Sequence, residues 1–294
     1  MLSILIPTYN YNVYPLANKL MEDASRFGIP CELICMDDGS GSDLNTANER
    51  INNLPNATFL ISKKNNGRTL TRQLLAKQAN NDWLLFLDAD VMPKNDDFLK
   101  KYMDLIRDSN PIIFGGIAYN EKDYQLENSL RFKFGSKREV VSAQKRNKLP
   151  YRVVCSANFL TKKNMFLDIN ALNLNHAYGM DYIFGMTLKT QLIPVKHIDN
   201  EVYHLGIDEN HNFLAKTKRG LQTLHSRNND MIILNNQINL LKYYRILKKL
   251  RLHNCFGQFM LYLDKPVTSN LVNSKNPSLF LFDLYRLGYF CRLK

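Results

Sequence analysis

The chain has 294 residues, 45% hydrophobic and 22% charged, which argues against a disordered or low-complexity protein and leaves room for one large α/β domain with or without a helical appendage. No run of about 18 apolar residues occurs, so no spanning helix is expected. The formal net charge of +12 is uneven: residues 206–294 carry 14 Lys/Arg against 5 Asp/Glu, and residues 131–152 carry 8 against one. In chain order, Leu2–Ile6 reads as a buried strand stopped by Pro7, with no basic stretch ahead of it, so no signal peptide is expected. Residues 13–27 carry helical apolar spacing through Val13, Leu16, Ala17, Leu20, Met21 and Ala24 and end before Gly28. Cys31–Met36 reads as a second strand running into Asp37-Asp38-Gly39-Ser40. Ser42 or Asp43 then caps a helix to about residue 53. Thr58–Ile61 is a third strand, and a helix over 69–79 follows Gly67.

Trp83–Leu87 is a fourth, wholly apolar strand, and it ends in Asp88-Ala89-Asp90. Pro93 is read as opening the next helix, with Phe98, Leu99, Tyr102, Met103 and Ile106 on one face. Ile112–Phe114 is a fifth strand. Strands alternating with helices predict parallel βαβ units, whose carboxyl ends share one rim where ligands bind. The turn Thr8-Tyr9-Asn10 and both acidic turns fall on that rim. Two acids spaced i, i+2 there suit a divalent cation, since they repel each other when poorly solvated. A plain acidic turn is an equal reading of that stretch taken alone. Residues 131–152 are basic and turn-rich and read as a mobile loop over an acceptor, as a surface that meets an anionic lipid carrier, or as a simply solvated loop. From about residue 211 the pattern is helical. Residues 231–252 form a basic amphipathic candidate, suited to an anionic membrane face or to packing on the rest of the chain. The aromatic stretch 279–290 can dock on the domain, on a second copy or at a membrane. Five scattered cysteines read as reduced thiols without zinc-site spacing.

Five ordered elements carry a family resemblance: Ser3–Asn10, Asp37–Ser40, Asn66-Gly67 with Arg72, Phe86–Asp90, and Gly179–Tyr182. Over about the first two-thirds of the chain the sequence resembles a family-2 glycosyltransferase of the A-type fold. The resemblance implies a mostly parallel, Rossmann-like sheet flanked by helices over residues 1–210, and a helical basic extension over 211–294. It implies a metal-assisted, inverting transfer of a sugar from a nucleotide-diphospho-sugar, UDP foremost, to a glycan or lipid-linked acceptor.

By the same resemblance, Pro7, Thr8, Tyr9 and Asn10 with Asp38 form the nucleoside site, and Asp37 is an alternative to Asp38. Gly67 and Arg72 lie near the nucleotide or its phosphates; Arg68, one turn before Arg72, leaves the choice of arginine open. Asp90 is the expected direct ligand of Mn²⁺ or Mg²⁺, with Asp88 and Ala89 nearer the ribose and Asp88 an indirect ligand. Ser156 and Asn158 resemble the segment lining the sugar, although a buried strand of small residues fits them as well. His204 resembles a further metal or diphosphate contact, against the common structural role of a lone histidine. Asp181 matches the general base of a Glu-Asp pair in which Met180 replaces the Glu, and an Asp capping a helix is compatible with that.

A sugar-phosphate nucleotidyltransferase lacks support, because Pro7–Asn10 stands where a Gly-rich loop would. A dinucleotide oxidoreductase lacks its G-x-G-x-x-G. A catalytically weak sugar-nucleotide binder stays open, and a nucleic-acid binder has only the charge in its favour. A cytoplasmic protein is expected, with contact to the inner membrane face or a second subunit as open possibilities.

Overall fold

The computed structural model describes residues 1–106, 111–171, 180–226 and 238–293, without the side chains of residues 171 and 180–182. Its first half runs β1 (Leu2–Thr8), α1 (Tyr14–Arg26), β2 (Cys31–Asp37), α2 (Leu44–Asn48), β3 (Ala57–Ile61), α3 (Arg68–Gln78), β4 (Trp83–Leu87), β5 (Val91–Pro93), α4 (Phe98–Leu105), β6 (Ile112–Phe114) and β7 (Ile117–Ala118). There follow α5 (Ser129–Phe134), α6 (Ala143–Lys148), β8 (Asn158–Lys162), α7 (Lys163–Ala171), α8 (Met180–Thr190), β9 (Val195–His197) and β10 (Val202–His204). The remainder is helical: α9 (Asn210–Ser226), α10 (Asn239–Lys249), α11 (His253–Tyr262), α12 (Asp264–Asn273) and α13 (Leu279–Cys291). Among the described residues no helix is long and apolar enough to cross a membrane.

The chain forms two compact units. The first comprises residues 1–118, 141–176 and 187–206, and the second 119–140, 177–186 and 207–294. The first is built on a seven-stranded sheet of order β3-β2-β1-β4-β8-β6-β9. β3, β2, β1 and β4 run parallel, as do β6 and β9, and β8 is the antiparallel strand between β4 and β6. Both faces are covered, so β1 and β4 read as continuous apolar runs rather than alternating ones. Ile4 of β1, Leu33 of β2 and Leu85 of β4 join Leu16, Leu20 and Tyr102 from the helices in one core. Register puts Thr8 opposite Asp37, so the ends of β1 and β2 reach the same rim. A smaller sheet, β5-β10-β7, lies beyond that rim.

Three expectations are corrected. Pro93 does not open a helix: it ends β5, an edge strand paired with Val202, where its missing N–H costs no ladder bond, and α4 begins only at Phe98. The helix expected to residue 53 stops at Asn48 and tightens into a 3₁₀ turn over Glu49–Asn53. Residues 131–152 are not a loop but mostly helical, with α5, a π turn over Gly135–Glu139 and α6. Two of their cations, Arg131 and Arg146, turn inward, while Lys137, Arg138, Lys145, Lys148 and Arg152 stay exposed. In the second unit Arg131 pairs with Glu139 at 3.1 Å.

In the first unit Arg146 is buried and donates to the carbonyls of Val141, Phe114 and Ile198. Arg146 also donates to His197 Nδ1 at 3.0 Å, which leaves Nε2–H to donate to the Pro150 carbonyl at 2.8 Å. Burial pushes His197 down to about 4, with Arg146 adding to the shift and the Pro150 carbonyl opposing it. The folded value lies below the unfolded one, so the unfolded chain binds the extra proton and stability falls as pH drops from about 6.5 towards 4. Between about pH 7 and pH 5 the loss amounts to roughly 2 kcal/mol. Urea midpoints across that range measure it, and His197→Gln, whose amide still accepts from Arg146 and donates to Pro150, is expected to flatten the slope.

The second unit has two apolar clusters. Ile183, Leu221, Leu224, Leu241, Tyr244 and Phe290 form one. Leu130, Phe213, Met260, Leu271, Phe282 and Tyr285 form the other. α13 contributes to both, so the aromatic stretch 279–290 is an internal spine of this unit. Of the predicted helix over 231–252, residues 239–249 are helical as α10, and residues 231–237 lie outside the described residues.

Candidate active site

The turns after β1, β2 and β4 meet at one cleft with the start of α3. A cavity of about 280 Å³ is lined by Pro7, Thr8, Tyr9 and Tyr11 from the β1 turn, Asp38 from the β2 turn, and Asp88, Ala89 and Asp90 from the β4 turn. Asn65, Gly67, Arg68 and Thr71, from the start of α3, close the wall. Tyr9 lines the cleft and is 56% exposed.

Of the two acids after β2, only Asp38 lines the cavity. Asp37 is fully buried and caps its own turn, accepting from the Ser40 N–H at 2.9 Å and from the Asn45 amide. Asp38 accepts from the N–H of Asn66 and of Gly67, both at 2.8 Å. Gly67 has φ 78°, a left-handed conformation that side chains disfavour, and its turn is what points two N–H groups at one carboxylate.

Asp88 is held by cations. Arg72, itself buried, donates from Nη2 to Asp88 Oδ1 at 2.6 Å and to the Ser156 carbonyl at 2.8 Å, while Arg68 Nη1 stands 3.7 Å from Asp88 Oδ2. Burial alone would push the Asp88 carboxyl up; Arg68, Arg72 and His204 outweigh it, and the group sits below its ordinary range. Asp90 has the opposite balance. Burial, with the Asp88 charge beside it, holds its carboxyl above the usual range although His204 and Arg68 oppose this. His204 Nε2 lies 3.7 Å from Asp90 Oδ2. The small sheet explains the meeting: His204 pairs with Val91, and the Leu205 N–H donates to the Asp90 carbonyl at 2.8 Å. Gly206 follows because a Cβ there would stand 2.2 Å from Asp90 Oδ2.

The donor set fits a hard divalent ion. Asp90 is a half-buried carboxylate at the cleft wall, and an imidazole nitrogen faces it at a separation that two ligands of one ion can span. Among the described residues no three acidic, histidine or cysteine groups form a metal cage by themselves. An ion shared with a diphosphate needs only one or two protein ligands.

The structure thus brings together Pro7, Thr8, Tyr9, Asp38, Gly67, Arg68, Asp88, Ala89 and Asp90, with Arg72 and His204 directly behind them. It does not bring in Asn10, which turns to accept from the Ser42 hydroxyl. Nor does it bring in Asn158, which is fully buried, accepts from the Tyr102 hydroxyl and donates to the carbonyls of Gly116 and Asn200. Ser156 offers Arg72 its carbonyl and is otherwise buried. Asp181 falls in the first turn of α8, and its side chain is outside the described residues. Tyr11, Asn65, Thr71 and Gly206 are additions that the sequence reading misses. Thr71 stands three residues beyond Arg68 on the same helix face, a spacing that carries the signal, whereas nothing in the sequence singles out Tyr11.

A profile described as Glycosyl transferase family 2 matches residues 3–169. No curated protein sequence matches. Among solved structures, S. aureus TarS 1–349 is 15% identical with a TM-score of 0.51, covering 98% of this chain and 89% of that one. The same fragment has been solved in complex with UDP-GlcNAc. Glucosyl-3-phosphoglycerate synthase from Mycobacterium tuberculosis, in complex with Mn²⁺, UDP and glucosyl-3-phosphoglycerate, is 14% identical with a TM-score of 0.53, covering 77% of this chain and 79% of that one. The profile runs over more than half of the chain, on the strands and acidic turns that build the cleft, and the chain therefore belongs to glycosyltransferase family 2, with its A-type fold.

Proposed function

We propose that the protein transfers a sugar, with inversion, from a nucleotide-diphospho-sugar of the UDP class to a hydroxyl of a glycan or lipid-linked acceptor. The observation that carries the reading is the convergence of Tyr9, Asp38, Arg68, Asp88 and Asp90 on one cleft with His204 3.7 Å from Asp90. Tyr9 offers a ring face on which the base stacks. Asp38, fixed by Asn66 and Gly67, presents a carboxylate to the polar edge of the nucleoside. Arg68, exposed at the positive end of α3, meets the diphosphate. Asp90 and His204 would hold Mn²⁺ or Mg²⁺, which when bound neutralises charge on the departing diphosphate. Asp181 takes the proton from the acceptor hydroxyl as that oxygen attacks the anomeric carbon and the bond to the diphosphate breaks. The structural relatives support the donor class, since one is solved with UDP-GlcNAc and another with UDP and Mn²⁺.

A thermal-shift panel of UDP-, GDP-, CMP- and dTDP-sugars with and without Mn²⁺ tests the reading. Stabilisation by a UDP-sugar that requires the ion is expected; no donor-dependent shift in any arm would overturn it. Asp181→Asn is expected to keep that shift and to lower turnover about 10³-fold, within the usual range for a general base. Met180, in place of the usual Glu, favours a second reading in which the chain binds donor but transfers weakly. Donor stabilisation without hydrolysis or transfer by the unaltered protein would select it.

A further inference from the structure

Helices α10 and α11 of the second unit are apolar on more than their buried side. In α10, Leu240, Leu241 and Tyr244 turn inward to the cluster that holds Phe290. A surface helix ordinarily shows polar residues on the other side. Here Tyr243, Ile246 and Leu250, spaced i, i+3, i+7, are exposed instead, Leu250 by 60%. α11 repeats the arrangement, with Met260 buried, and Phe259 and Tyr262 exposed by 57% and 85%. Leu252, in the turn between the two helices, is exposed as well. Lys242, Arg245, Lys248, Lys249 and Arg251 are interleaved with these side chains, and residues 239–263 contain no Asp or Glu.

Exposed apolar side chains clustered at this density mark a docking surface. A second copy docked through a two-fold contact would set the same cations against themselves. A polyanion such as nucleic acid would answer the charge and leave Ile246, Leu250 and Leu252 in water. An anionic bilayer answers both features. Its headgroups receive the lysines and arginines, whose stems reach past the apolar side chains, and its interfacial layer takes tyrosine, phenylalanine and leucine. We infer that the outer face of α10, the 250–252 turn and α11 seats on an anionic lipid surface. The inference rests on the second unit alone and stands or falls apart from the sugar-transfer reading.

Co-sedimentation of the full chain with phosphatidylcholine vesicles, with and without about 30% phosphatidylglycerol, tests it. Binding at least about tenfold tighter to the anionic vesicles is expected, weakening as NaCl rises from about 0.1 to 0.5 M. Phe259→Ser/Tyr262→Ser is expected to lose most of the binding, and Lys248→Glu/Lys249→Glu the preference for anionic lipid, with donor-induced thermal stabilisation unchanged in both. Leu250→Ser gives the same reading should the double serine variant melt early. The inference is overturned if the unaltered chain does not bind anionic vesicles, or if the serine variants bind as well as it does. It is also overturned if an oligonucleotide competes fully with the vesicles, or if the serine variants instead convert a dimer to a monomer.

Discussion

Asp90→Asn is expected to lower kcat/KM for sugar transfer about 10³-fold, close to 4 kcal/mol of transition-state stabilisation, while leaving the fold intact. The substitution keeps the shape and removes the charge from a carboxyl that burial and Asp88 already hold above its ordinary range. A folded protein keeps such a group where a cation compensates it. The second consequence is thermodynamic: the additional rise in Tm that Mn²⁺ gives in the presence of donor should vanish in Asp90→Asn and shrink in His204→Ala. Calorimetry with and without the ion separates this from a loss of fold. An Asp90→Asn protein that retains both turnover and the ion-dependent shift would remove Asp90 from the site.

Arg72→Met is expected to destabilise the first unit by about 3–5 kcal/mol, because it strands a buried carboxylate. Asp88 is nearly inaccessible, and Arg72 is its close partner at 2.6 Å, while Arg68 stands farther off, at 3.7 Å, on a mostly exposed side chain. Arg72 also holds the Ser156 carbonyl, so a point-charge replacement is a poor one: Arg72→Lys should recover only part of the loss. The diagnostic variant is Arg72→Met combined with Asp88→Leu. Once both charges are gone no buried charge is left unpaired, and although the Ser156 carbonyl loses its donor in both variants, the double variant should be more stable in urea than Arg72→Met alone. A double variant less stable than the single one would mean that packing, not charge, sets the cost.

The legible part of the fold is the part whose physics is local. β4 is a continuous apolar run, and β1 and β2 are nearly so apart from Ser3 and Glu32 near their starts, because parallel strands covered on both faces tend to be so, and the turns that end them carry their polar residues openly. The acids at 38, 88 and 90 are therefore readable as neighbours before any contact is known. Pro93 misleads because proline at a helix start and proline on an edge strand look alike until a partner strand, here β10 from residues 202–204, is in place. The 131–152 segment looks like a solvated loop because its partners are distant in sequence: Arg146 finds Phe114 and His197, and no local pattern announces either. His204 has a resemblance but no geometric reason until β5 and β10 pair. Asn158 matches the sugar-lining segment by its residue type, yet long-range carbonyls at 116 and 200 use its amide.

α3 braces two acids of the cleft at once. Its entry is tied through Gly67 to Asp38, and its second turn is tied through Arg72 to Asp88. The four-residue step from Arg68 to Arg72 is a rise of about 6 Å along the helix. Both carboxylates therefore lean on one rigid lever, and whatever displaces the first two turns of α3 displaces the supports of Asp38 and Asp88 together.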